Sequence, residues 1–165
     1  MVFLKLTLQC VLQIRGFGLR RKAEVGTIPR VTYTHPEIAA VGVSTQALGN
    51  DRVHVVTLMN SEVDRAITEC NTHGFTKMAL DKKGRVIGAT VVGPRAGETL
   101  AELTLAVRLG LRTRDLASTI HPYPTYSDGP WKVAIADVRD RLNSPLMQRL
   151  FKVLRWFARS RLSFR

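Results

Sequence analysis

"FTKMALDKKGRVIGATVVGPRAGETLAELTLAVRLG", residues Phe75 to Gly110, carries the clearest structural signal in this chain. Its first half holds two runs of β-forming residues, "FTKMAL" and "RVIGATVVG", separated by "DKKG" (Asp81 to Gly84). An aspartate opening and a glycine closing four residues suit a tight turn, so a β-hairpin is predicted. The second half changes period. Leu100, Leu103, Val107 and Leu111 recur at spacings of three and four, which lays an apolar stripe along a helix ending near Gly110. A hairpin followed by a helix able to cover it is the start of α+β layering.

The flanking segments extend the pattern. "PRVTYTHPEIAAVGVS" (Pro29 to Ser44) reads as a strand that Pro36 forces to bend or to lie at an edge. Ser44 is expected to cap a short helix over "TQAL", ended by Gly49 and Asn50. "VHVVTL" (Val53 to Leu58) is the next strand, and "NSEVDRAITECNTHG" a polar connection. Thr113 is expected to cap a second short helix over "RDLAST", which leads into "IHPYPTYSDG" (Ile120 to Gly129), and "KVAIADVRDRL" is helical. The fold class is therefore α+β: a mostly antiparallel sheet with helices on one face, plus a C-terminal amphipathic helix.

Charge divides the chain. The formal net charge is +12, yet residues 31 to 140 hold 12 basic and 12 acidic side chains, residues 1 to 30 hold 6 and 1, and residues 141 to 165 hold 7 and 0. A neutral central domain, 28–140, thus carries a basic N-terminal extension, 1–27, and a basic tail, 141–165. Such a split speaks against a basic patch folded into a nucleic-acid-binding domain. Cys10 and Cys70 stand alone, without metal-knuckle or redox-pair spacing, which points to reduced thiols in a cytoplasmic protein. The N-terminal apolar run is interrupted at Lys5, Gln9, Gln13 and Arg15, and its charge follows the apolar part, the reverse of a signal peptide.

Glycine motifs are present only in part. Gly16 and Gly18 have dinucleotide-turn spacing, but Arg21 takes the third glycine's place; Gly88 and Gly93 have phosphate-loop spacing without the following Lys-Ser/Thr. Both sets read as turn and packing glycines.

Four stretches together, "IPRVTYTHPEIAAVG", "DRAITE", "GFTKMALDKKGRVIGATVVGPRAGETLAELTLAVRLG" and "DLASTIHPYPTYSD", resemble the C-terminal dimerisation domain of the pyridine nucleotide-disulfide oxidoreductases over residues 28 to 136. The resemblance implies a homodimer, or pairing with an FAD-domain-bearing subunit, and FAD with NAD(P) for a full-length parent. It also implies that this chain is a fragment that binds neither cofactor alone and is inactive by itself, because hydride chemistry needs a carrier.

Many members of that family carry a His-Pro-Thr-x-x-Glu loop that reaches the flavin and disulfide of the partner subunit. Matching its Pro-Thr pair puts Tyr123 at the histidine position, Pro124 and Thr125 after it, and Asp128 at the glutamate position. By the same resemblance Tyr123, His121 and Asp128 are the candidate catalytic residues, with Pro122 and Pro124 bordering the cofactor. A phenol near pKa ~10 donates hydrogen bonds at neutral pH where an imidazole near ~6.5 exchanges protons, so Tyr123 is a poor thiol base. A tyrosine in this loop is similar to mercuric reductase and related flavoproteins, although the tail lacks their C-terminal cysteine pair. His121, two residues earlier, is displaced by ~6.5 Å along an extended loop. A Ser127-His121-Asp128 triad is available in composition only, without a nucleophile elbow. Pro122 and Pro124 stiffen the loop toward extended geometry, whether to meet a partner or merely to connect two helices.

In the tail, Ser144 and Pro145 can open a helix on which Leu146, Leu150, Leu154 and Phe157 face one way and Arg149, Lys152, Arg155 and Arg159 the other. Such a basic amphipathic helix can pack on the domain or its mate, lie on an anionic membrane surface through residues 144–165, or touch another acidic partner. The competing functional reading is a peripheral membrane or acidic-partner binding protein acting through this tail.

Overall fold

The computed structural model describes residues 25–44, 53–145 and 147–149. The expected helix over "TQAL", Cys10, the Gly16-Gly18 turn, and the tail beyond Arg149 lie outside the described residues.

The hairpin is as the sequence predicts. Strands β4 (Phe75–Leu80) and β5 (Val86–Gly93) pair antiparallel, with Lys77 opposite Thr90 and Met78 opposite Ala89. Asp81 makes the turn: its Oδ1 accepts from the backbone N–H groups of Lys83 (2.8 Å) and Arg85 (2.9 Å). Gly84 closes it at φ +77°, a conformation that costs other residues about 1–2 kcal/mol.

The stretch read as one bent strand is two. The chain turns through Tyr33 to Pro36, separating β1 (Arg30–Thr32) from β2 (Glu37–Gly42), and the two pair with each other. Strand β3 (His54–Met59) completes an antiparallel sheet of order β1-β2-β5-β4-β3. The polar connection after β3 is also more structured than expected, with a 3-10 turn at Asn60–Glu62 and helix α1 (Asp64–Thr68). The peptide bonds His35-Pro36 and Tyr123-Pro124 are cis.

Alternation along the strands puts Ala39, Val41, Met78, Leu80, Ala89 and Val91 on one face, all buried. Helix α2 (Ala96–Leu109) covers β2 and β5 with Leu100 and Leu103, and α4 (Asp128–Leu142) covers β3 and β4 with Val133 and Ala134. Glu37 at the start of β2 accepts from the Gly97 N–H at the positive end of α2, fixing helix to sheet. Gly110 ends α2 at φ +64°.

Helix α3 (Thr113–Ala117) packs on α4, but Thr113 does not cap it. Arg112 precedes the first turn, and Thr113 instead donates its hydroxyl to the buried Asp137 at 2.5 Å. A charged acceptor inside the core is a stronger partner than a backbone N–H at a helix end. Asp137 also accepts from Arg141 Nε at 2.8 Å, which joins α3 to both ends of α4's last turn. Helix α4 begins at Asp128 rather than at Lys132, so the histidine- and proline-rich loop is shorter than its sequence suggests. Among the described residues no helix is long and apolar enough to cross a membrane.

Candidate functional site

The loop from Ser118 to Ser127 leaves α3, crosses the flank of α2 and enters α4. It is not extended. Bends at Tyr123 to Thr125 curl it back, and the Thr125 hydroxyl donates to the Pro122 carbonyl at 3.0 Å. The paired prolines therefore brace a turned segment rather than a straight one, and alternation along the chain does not govern which side chains point outward.

Tyr123 is 71% exposed at the crest of this turn. The Asp64 carboxylate, first as hydrogen-bond partner and then through its charge, holds the phenol's pKa above its ordinary value. Asp64 itself lies 3.4 Å from Lys132 Nζ, which also donates to the Glu62 carbonyl. Tyr123 is thus a protonated donor presented to solvent, in keeping with the expectation that it makes a poor base.

Asp128 adds its charge to that of Asp64 in raising the Tyr123 pKa. It is buried in the first turn of α4, and its Oδ2 accepts from the Thr125 N–H at 3.4 Å. Its hydrogen bond goes to the loop backbone and not to the Tyr123 hydroxyl.

His121 is no free base. Its side chain is 9% exposed, Nδ1 lies 2.9 Å from the Thr119 carbonyl, and Nε2 lies 2.9 Å from Glu102 Oε1 of α2. Its ring also lies beside Trp131 of α4, with centroids 6.3 Å apart. Neither Ser127 nor Asp128 is among its hydrogen-bond partners, so the triad assembled from composition does not form.

A groove of about 480 Å³ runs along this flank, lined in part by Glu102, Leu105, Asp115, His121, Pro122 and Ser127. Leu105 on its wall, with Leu109 and Ile120 nearby in the chain, exposes apolar surface. On the loop's other side Tyr126 turns inward and donates to Glu69 Oε2 at 2.8 Å. Burial and that hydrogen bond push the Tyr126 pKa up to about 12. Tyr126, with Arg65 next, in turn holds the Glu69 carboxyl below its usual range.

Glu102, Asp64 and Glu69 carry no local signal of their contacts, because each meets its partner at a sequence separation of 19 to 59. One signal for Glu102 was available. Leu105 and Leu109 lie outside the stripe of Leu100 and Leu103, at three and seven residues from Glu102, and mark a second face of α2.

Gly88 and Gly93 are strand glycines: Gly88 pairs with Gly42 of β2, and Gly93 lies against Asn60. The fold and the position of the loop agree with one family model, that of the pyridine nucleotide-disulphide oxidoreductase dimerisation domain, which matches residues 28–134. The chain belongs to this family. Among its relatives, dihydrolipoamide dehydrogenase of Chaetomium thermophilum is 39% identical over 125 residues, covering 74% of this chain and 24% of that protein. Mercuric reductase of Bacillus cereus is 38% identical over 115 residues, covering 68% and 18%. The two enzymes match at nearly equal identity, so identity alone does not choose between them.

Solved dimerisation domains superpose well. LpdA of Mycobacterium tuberculosis has a TM-score of 0.71 and 28% identity, over 76% of this chain and 28% of that one. The flavoprotein disulfide reductase RclA of Escherichia coli, with TM-score 0.70 and 23% identity over 78% and 30%, shares the fold. The chain spans about a quarter of the length of these curated relatives and solved structures.

Proposed function

We propose that this dimerisation domain joins two copies through the outer face of α2 and the His121–Ser127 loop, presenting Tyr123 to a flavin site completed by the partner. One observation carries the reading: a braced loop holds an exposed, protonated phenol on a domain whose described residues also leave Leu105, Leu109 and Ile120 exposed. FAD and NAD(P) belong to the proposed parent assembly, whose other segments would hold them. This chain's part is to place a hydrogen-bond donor, with Pro122 and Pro124 shaping the approach. Tyr123 fits a role in orienting or stabilising an anionic sulfur better than one in removing its proton. His121 and Asp128 support the loop and do not meet a reactant.

Sedimentation equilibrium at tens of micromolar tests the dimer, and a monomer there overturns it. Absorbance of the purified chain tests the division of labour: stoichiometric bound flavin would contradict the assignment of FAD to other segments.

A second reading rests on the tail, whose residues 141 to 165 hold 7 basic and 0 acidic side chains. Attachment to an anionic membrane surface from the cytoplasmic side predicts that the full chain floats with anionic vesicles and that removal of residues 144–165 abolishes flotation.

A further inference from the structure

We infer that His121 and Glu102 form a proton-dependent pin that fastens the Tyr123 loop to α2 and releases it as pH rises. The geometry sets the condition. Nδ1 faces a backbone carbonyl and Nε2 a carboxylate oxygen, each at 2.9 Å, and neither oxygen of an ionised pair can donate. Both contacts are hydrogen bonds at once only when the ring carries two protons. A neutral imidazole keeps one bare nitrogen, and whichever nitrogen that is, its lone pair then faces an oxygen lone pair.

Losing the carbonyl contact frees the chain just after α3; losing the Glu102 contact frees the loop from α2. Either way the segment from Ile120 to Thr125 loosens, and the position of Tyr123 with it. His121 is thus a positioning residue.

The groove around the ring holds acids and no second base. Besides His121, the titratable side chains lining the groove are Glu102 from α2 and Asp115 from α3, with no lysine or arginine among them. Asp115 is itself occupied, accepting from the Arg112 N–H at 2.8 Å and standing 3.6 Å from Arg114. Helix α4 contributes the uncharged Trp131 ring. The pin follows from this chain's own contacts and holds whether or not Tyr123 meets a flavin.

Trp131 supplies a local readout, because an imidazolium quenches a neighbouring indole more strongly than the neutral ring does. The test uses the full chain carrying Trp156→Phe, which leaves Trp131 as the only tryptophan. Indole emission is followed together with hydrogen exchange of the Thr125 amide, which donates to Asp128 Oδ2, corrected for intrinsic rates, between about pH 5.5 and 8. In the parent, emission rises and protection falls about fivefold over the same interval. Glu102→Gln separates the pin from simple packing. A side-chain amide can turn to accept from a protonated Nε2 or to donate to a bare one, so this variant keeps its protection at pH 8 while emission still titrates. Glu102→Leu loses protection at both pH values. Parent protection that is unchanged across the interval, or Glu102→Gln losing protection in parallel with the parent, overturns the inference. Circular dichroism on each variant separates loop release from unfolding.

Discussion

At the scale of single residues, two inward-facing side chains govern how the loop and its helix respond to solution conditions. Tyr126 and Glu69 share one hydrogen bond, and each shifts the other's titration. The Tyr126 folded-state pKa of about 12 stands above its unfolded value of 10.0, so its contribution is fully present below pH 10 and is lost as pH rises toward 12. Glu69 is lowered from 4.5, so its contribution is present above pH 4.5 and is lost as pH falls through the depressed value. Denaturant midpoints measured against pH are expected to fall at both ends. Tyr126→Phe flattens the alkaline fall and weakens the acid one. The second residue is Asp137, wholly buried between Thr113 and Arg141. Asp137→Ala leaves the Thr113 hydroxyl without its acceptor and frees Arg141 to solvent. A loss of about 2 kcal/mol in urea unfolding is expected, moderated because Arg141 is partly exposed.

Elements show where sequence is legible and where it is not. The β4–β5 hairpin and α2 are readable because their signals are local: two runs of β-forming residues, a turn whose end residues fix its geometry, a stripe at helical spacing. The division of Pro29 to Ser44 into β1 and β2 is not, because strand residues stand on both sides of a turn made by a threonine-histidine-proline segment without glycine. Thr113 satisfied every local rule for a cap and was claimed by Asp137, 24 residues away. The loop was found and its shape was not, since the partners that bend it come from α1, α2 and α4. Glycines divide the same way. Gly84 announced itself as a turn residue, whereas Gly74, at φ +116°, is fixed by its surroundings: a Cβ there would overlap the Val92 carbonyl and lie 2.8 Å from Asn60 Nδ2. That amide ties the strand ends together by donating to the carbonyls of His73 and Val92. Gly74→Ala is expected to cost about 3 kcal/mol or more, because a backbone oxygen must move. Gly84→Ala is expected to cost about 1 kcal/mol, because the nearest obstacle is the flexible end of Arg141. Thermal unfolding of the two variants side by side checks the order.

At the scale of the whole molecule, the described helices cover one face of the sheet, and the proposed interface is the outer flank of α2 together with the loop. Replacing Leu105 and Leu109 by aspartate places charge on that flank without touching the buried Leu100 and Leu103. The double variant is expected to sediment as a folded monomer at concentrations where the parent is a dimer. Unchanged association would move the interface elsewhere.

The sheet order β1-β2-β5-β4-β3 also bears on how the chain reaches its shape. Strands β4 and β5 are neighbours in sequence and can zip from the Asp81 turn, and α2 can settle on them at once. Strand β2 can pair locally with β1, but the pair must close a loop from Gly42 to Gly88 before it gains anything from β5. Strand β5 is therefore a template present early, and the N-terminal pair a late arrival. Pulse-labelled exchange during refolding is expected to protect amides of residues 75–93 before those of residues 30–42. Until that last strand docks, the β2-facing edge of β5 stays open to any other extended chain that reaches it first.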